Sequence, residues 1–73
     1  MYTIPTEESV YARVEHNEKG LTYIELQKLF FGAETPKPED EKTLSDCIDA
    51  NIDKGRIVMK TIKQPLEERY FKA

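Results

Sequence analysis

Leu21-Thr22-Tyr23-Ile24-Glu25-Leu26 opens a helix, and the rest of the chain is best read outward from it. Thr22 is placed to accept a hydrogen bond from the backbone three residues on. Glu25, at that third position, can reach back to the Thr22 amide, which together make a capping box. Leu21 before the cap and Leu26 beyond it form the matching hydrophobic staple. The helix that follows spans about 22–31, with Gly32 as its stop. Tyr23, Leu26, Leu29 and Phe30 share one apolar face, while Ile24 and Phe31 adjoin it. Only a narrow strip around Glu25 and Lys28 is left for water, so this helix is expected to lie sandwiched between neighbours.

Upstream, Pro5-Thr6-Glu7-Glu8 reads as another helix start, with Thr6 as cap and two acids in the first turn, where the helix dipole favours them. Val10 and Val14 fall on one face of a helix over about 6–17, flanked by Tyr11, Arg13 and Asn17; Gly20 can take the left-handed conformation that closes it. Downstream, Ala33 to Pro38 is a turn whose prolines push their predecessors out of the helical region, and Pro38 suits the first position of a third helix. That helix runs over about 38–54. Its apolar stripe is Leu44, Cys47, Ile48 and Ile52, and Gly55 follows as the stop. Arg56 to Ile62 is rich in β-branched residues, Lys63-Gln64-Pro65-Leu66-Glu67 makes a turn, and Arg69 to Lys72 returns as the antiparallel partner. The reading is α+β: three helices and a C-terminal hairpin over about 56–72, in a single domain covering residues 1–73.

Three short helices and a hairpin, with Gly-Leu-Thr-x-x-Glu-Leu opening the second helix and Ile48-Asp-Ala-Asn-Ile52-Asp-Lys-Gly55-Arg-Ile57-Val58 closing the third, resemble the winged helix-turn-helix superfamily. The resemblance covers roughly residues 6 to 72. It implies that Leu21 to Leu26 begins the first helix of the helix-turn-helix, that the third helix is the recognition helix, and that the hairpin is the wing. The turn between the second and third helices, with two prolines, is longer than usual for the motif. Asn51 stands where many relatives place a core leucine, and Ile52 is expected to supply that packing.

The chain has 73 residues, so it buries only about 60% of its unfolded surface and its core is small. With 34% charged residues and no apolar stretch near the length of a bilayer, it reads as water-soluble with no membrane segment. One cysteine forms no internal disulfide, and Met-Tyr-Thr-Ile-Pro lacks the basic and long apolar regions of a secretory signal, so a cytoplasmic, reducing compartment is expected. The net charge of -3 conceals an asymmetry. Residues 1–53 carry 5 basic and 12 acidic side chains, whereas residues 54–73 carry 6 basic and 2 acidic. The chain is therefore a charge dipole along its sequence.

Two opposed signals come from this distribution. In the DNA-binding version of the fold, the outward face of the third helix enters the major groove. Here that face projects as Glu39, Lys42, Asp46, Asp49 and Asp53, four acids and one base, which phosphates would repel. The wing, by contrast, carries Lys60, Lys63, Arg69 and Lys72 with Gln64 at its tip, a set suited to phosphates or a minor groove. Lysines also blunt the exposed edges of strands in proteins that bind nothing. Tyr11, Ile24 and Phe31 could together form an exposed apolar patch for a partner.

No catalytic set is visible: there is one histidine, one cysteine and no phosphate-binding loop. His16 reads as a surface residue near a helix end, with no companion metal ligands, and Cys47 as a small buried hydrophobe. No enzyme, metal or cofactor is expected. Two functions follow. One is a small regulator or accessory factor in transcription or another DNA transaction, touching DNA weakly through the basic wing, as a homodimer or beside a protein partner. The other is an acidic protein-interaction module, or a DNA-mimicking inhibitor, with no direct DNA contact.

Overall fold

The computed structural model describes residues 2–64 and 66–73. Helices α1 (Glu7–Glu15), α2 (Tyr23–Phe31) and α3 (Pro38–Asp53) precede strands β1 (Ile57–Lys63) and β2 (Leu66–Lys72), which pair antiparallel. This is the expected α+β order, an arrangement consistent with a winged-helix topology. No helix among the described residues is long and apolar enough to cross a membrane.

Local chemistry sets each boundary. At α2, the Glu25 amide donates to Thr22 Oγ1 at 3.1 Å and the Thr22 amide donates to Glu25 Oε1 at 2.9 Å, completing the expected capping box. Thr6 caps α1 and also has a box partner, Ser9, whose amide donates to Thr6 Oγ1 at 3.1 Å. That helix ends at Glu15 with His16 as its cap, short of the expected Asn17. Gly20 is left-handed, at φ 77°, but it closes the turn after the helix, donating to the Asn17 carbonyl at 2.9 Å. A β-carbon there would lie 2.8 Å from the Phe71 ring, so the strand packs directly on the glycine backbone. Strand β1 is shifted one residue from its expected span, and β2 begins three residues earlier than expected, the two paired from Ile57↔Lys72 to Lys63↔Leu66. Arg56 stands before β1. The turn expected over residues 63–67 contains Pro65, which lies outside the described residues.

All five elements contribute to one core. Val10, Val14, Leu21, Leu26, Phe30, Phe31, Leu44, Ile48 and Ile57 are buried, with Tyr2, Tyr11, Tyr23, Cys47 and Tyr70 packed around them. Burying a side chain the size of Phe30 or Leu26 contributes about 1.5–3 kcal/mol. Leu21, the staple residue, also forms a single antiparallel bridge to Tyr70, with amide-to-carbonyl bonds of 3.0 and 2.8 Å. It thus ties the start of α2 to the outer edge of β2.

Several packing expectations are corrected. Phe31 is 1% exposed, its ring 5.1 Å from that of Tyr2, so it belongs to the core and to no partner patch. The N-terminal segment accounts for this: the Tyr2 hydroxyl donates to the Asp40 carboxylate and accepts from the Lys37 amide, pinning the ring under the α2–α3 turn. Helix α2 is not sandwiched, since Ile24 and Leu29 are exposed. On α3, Asn51 is fully buried and Ile52 is on the surface, so Ile52 does not supply the packing expected of it. Asn51 Nδ2 donates to the Glu7 carbonyl at 3.0 Å and the Cys47 carbonyl at 2.9 Å, joining α3 to α1 where a leucine would only fill space. Among the described residues its Oδ1 has no partner, a cost that offsets part of this gain.

Candidate interaction surfaces

The basic C-terminal segment folds back onto the acidic first half. Lys54 Nζ meets Glu7, and Lys72 Nζ lies 3.7 Å from Glu15. Arg56 holds Glu8 with two parallel bonds of 2.9 and 3.0 Å, while its guanidinium carbon sits 4.4 Å above the Tyr11 ring. This fork geometry is the strongest form of a side-chain ion pair. It holds the Glu8 carboxyl below its ordinary value, first through the hydrogen bonds and then through the charge of Arg56. The same contact covers Tyr11, and Phe31 is buried. Of the three residues expected to form an apolar patch, Ile24 alone is exposed.

The wing residues are likewise divided. Paired residues of an antiparallel ladder share a face, so Lys60↔Arg69 lie together, beside Val58↔Phe71 and Ile62↔Glu67. Lys63 and Lys72 point to the opposite face, at opposite ends of the hairpin. Arg69 is turned inward: Nε donates to Glu67 at 2.8 Å, and Nη1 donates to the Gly20 carbonyl at 3.1 Å with Glu25 at 3.4 Å. It clamps β2 to the start of α2. Lys60 lies 5.2 Å from the centre of the Phe71 ring. Lys60 and Lys63 form no ion pair among the described residues, and Gln64 is exposed beyond the end of β1.

The outward face of α3 behaves differently. Glu39, Lys42, Asp46, Asp49 and Asp53 are all exposed. Lys42 bonds Asp46 at 2.9 Å one turn along, both of them in solvent, where such a pair contributes little. Glu39, Asp49 and Asp53 make no ion pair among the described residues. The face is therefore acidic in space as well as in sequence.

Beside it, Thr22, Tyr23, Ile24, Glu67, Glu68 and Tyr70 line a depression of about 300 Å³ between the start of α2 and β2. A second, of about 400 Å³, adjoins it at Thr61, Leu66, Glu67 and Glu68. The Tyr70 hydroxyl is pushed up by burial first and then by the charges of Glu68 and Asp49. Tyr23 is pushed up by burial and by Glu41. The hollow thus combines aromatic walls with a negative rim. Sequence reasoning missed it because Glu67 read as a turn residue, Glu68 fell between the expected turn and strand, and Tyr70 read as an ordinary strand residue.

Cys47 is half-buried, and burial raises its thiol, with Glu7 and Asp46 adding to the effect. A raised thiol is a poor nucleophile. His16 is the C-terminal cap that follows α1, and among the described residues no three His, Cys, Asp or Glu side chains gather in a metal-binding cluster. No protein family, no curated protein and no solved structure matches the chain.

Proposed function

We propose that this chain is a non-catalytic, acidic winged-helix module that binds a basic protein partner rather than DNA. The observation that carries the reading is the pairing of Lys54, Arg56, Arg69 and Lys72 with Glu7, Glu8, Glu25, Glu67 and Glu15. Cations engaged by the chain's own carboxylates are not available to neutralise phosphates, the interaction on which DNA affinity chiefly depends. Helix α3, meanwhile, offers acids where a groove-reading helix needs donors. A basic surface would find a complementary field there, which speeds encounter and selects the partner's sign. Two copies of the chain would not meet through this face, because acid would oppose acid.

A second reading, weak DNA contact through the wing, rests on Lys60 and Lys63. Two unpaired cations supply a small electrostatic term. Fluorescence anisotropy with a labelled generic duplex, at low and at physiological salt, separates the readings. The expected result is no binding at either. Binding that falls steeply with salt and is lost on Lys60→Glu with Lys63→Glu would place the wing reading first. Arg69 is unsuited to that test, because its replacement would loosen the clamp on Gly20 and Glu25.

A further inference from the structure

We infer that the depression between α2 and β2 takes an extended peptide of alternating basic and apolar residues, added as a strand along the outer edge of β2. The inference rests on the protein-interaction reading and names its site and partner chemistry.

The backbone supplies the first argument. Tyr70 uses its N–H and C=O to bond Leu21, on the side of β2 away from β1. Strand alternation turns the N–H and C=O of Glu68 and Leu66 to that same side. Leu21 is a one-residue third strand: at Thr22 the chain leaves the edge and enters α2. The positions beside Glu68 and Leu66 therefore have no strand neighbour among the described residues. An open edge of this kind is a template for an incoming strand. Its length suits about three residues at roughly 3.3 Å each.

The hollow lies along that edge and gives the second argument. Half of its lining is apolar or aromatic, with Ile24 63% exposed and Tyr23 and Tyr70 half-buried; Leu66, 78% exposed, lines the adjoining depression. An isolated domain this small gains nothing from leaving two such aliphatic side chains in water beside an unfilled space. Charge gives the third. Glu68 rims the hollow with no ion pair among the described residues, Glu67 beside it is shared with Arg69, and Asp49 lies close enough to perturb Tyr70, so a basic side chain beside a buried apolar one is complementary. An acidic or nucleic-acid occupant would be repelled.

The test uses the whole protein, labelled with 15N, titrated with an acetylated and amidated heptapeptide of alternating Lys and Val. Saturable shifts should centre on Thr22, Tyr23, Ile24 and on Glu67 to Tyr70, with slowed hydrogen exchange at the Glu68 amide. Ile24→Ser and Glu68→Lys, both at exposed positions and so compatible with folding, should each weaken binding about tenfold or more, as expected of residues central to a small interface. The matching Glu/Val peptide should not bind. The inference is overturned by equal binding of the two peptides, by the absence of saturable shifts, or by shifts confined to Asp46, Asp49 and Asp53. In the last case the interaction reading survives and only its location is wrong.

Discussion

The seam where α1 meets α3 and the hairpin, and the outward face of α3, are built from the same residue types and put them to opposite uses. At the seam each of Glu7, Glu8 and Glu15 meets a cation supplied from far along the chain. On the outer face Glu39, Asp49 and Asp53 meet none among the described residues, and Lys42 serves Asp46. Charge segregated along a sequence can thus cancel at one end of the fold and persist at the other. Counting charges per segment sees the segregation but not which part survives folding.

The comparison breaks most severely at Asn51, which joins α3 to α1 at the seam. Asn51→Asp would remove two donated bonds and set a buried carboxylate against the Glu7 and Cys47 carbonyls. Urea unfolding at neutral pH should show a loss of about 3 kcal/mol or more, the scale of an uncompensated buried charge. Next comes Gly20, whose carbonyl anchors Arg69. Gly20→Ala combines a left-handed backbone with a clash against Phe71, and should cost about 2–3 kcal/mol. Gly55→Ala, equally left-handed at φ 73° but with nothing near the added carbon, should cost only about 1 kcal/mol.

The legibility of these features differs for a physical reason. Capping boxes and proline or glycine stops depend on neighbours three or four residues apart, so the start of α2, the turn before α3 and the hairpin were all readable. The partner of Asn51 was not. Helical spacing sets Asn51 on the stripe of Leu44, Cys47 and Ile48, but the carbonyl of Glu7 that it bonds lies 44 residues away in sequence. Phe31 was misplaced for a similar reason, since the residue that covers it, Tyr2, lies in a segment with no periodic pattern. The wing lysines were correctly assigned to the hairpin. Their partition between two faces follows from the strand register, and the engagement of Arg69 follows from the return of α2 to β2.

A finer test of the seam uses pH. The folded-state value of Glu8 lies below its ordinary 4.5, because Arg56 stabilises the ionised form. Its contribution to stability is therefore fully present above that ordinary value and is lost as pH falls through the lower, folded one. Glu8→Gln should be less stable than the parent at neutral pH. The difference in urea midpoint should shrink as acid is added below about pH 4.5 and vanish once Glu8 is protonated in both states.

The smallest effect on stability is expected on the outer face. Replacing Asp46, Asp49 and Asp53 together by Asn should change stability by no more than about 0.5 kcal/mol, with a gain from relieving like charges one turn apart. If the face steers a basic partner, the same variant should slow association with the Lys/Val peptide without altering its complex at the β2 edge, a difference visible in stopped-flow rates at low salt.

The most direct measurement of the central claim, that internal pairing silences Lys54, Arg56 and Lys72, compares DNA binding of the parent with that of a Glu7→Gln, Glu8→Gln, Glu15→Gln variant by anisotropy at low salt. The account predicts no binding by the parent and a gain of salt-sensitive binding by the variant, as Lys54, Arg56 and Lys72 are released. Equal, salt-sensitive binding by both would contradict it.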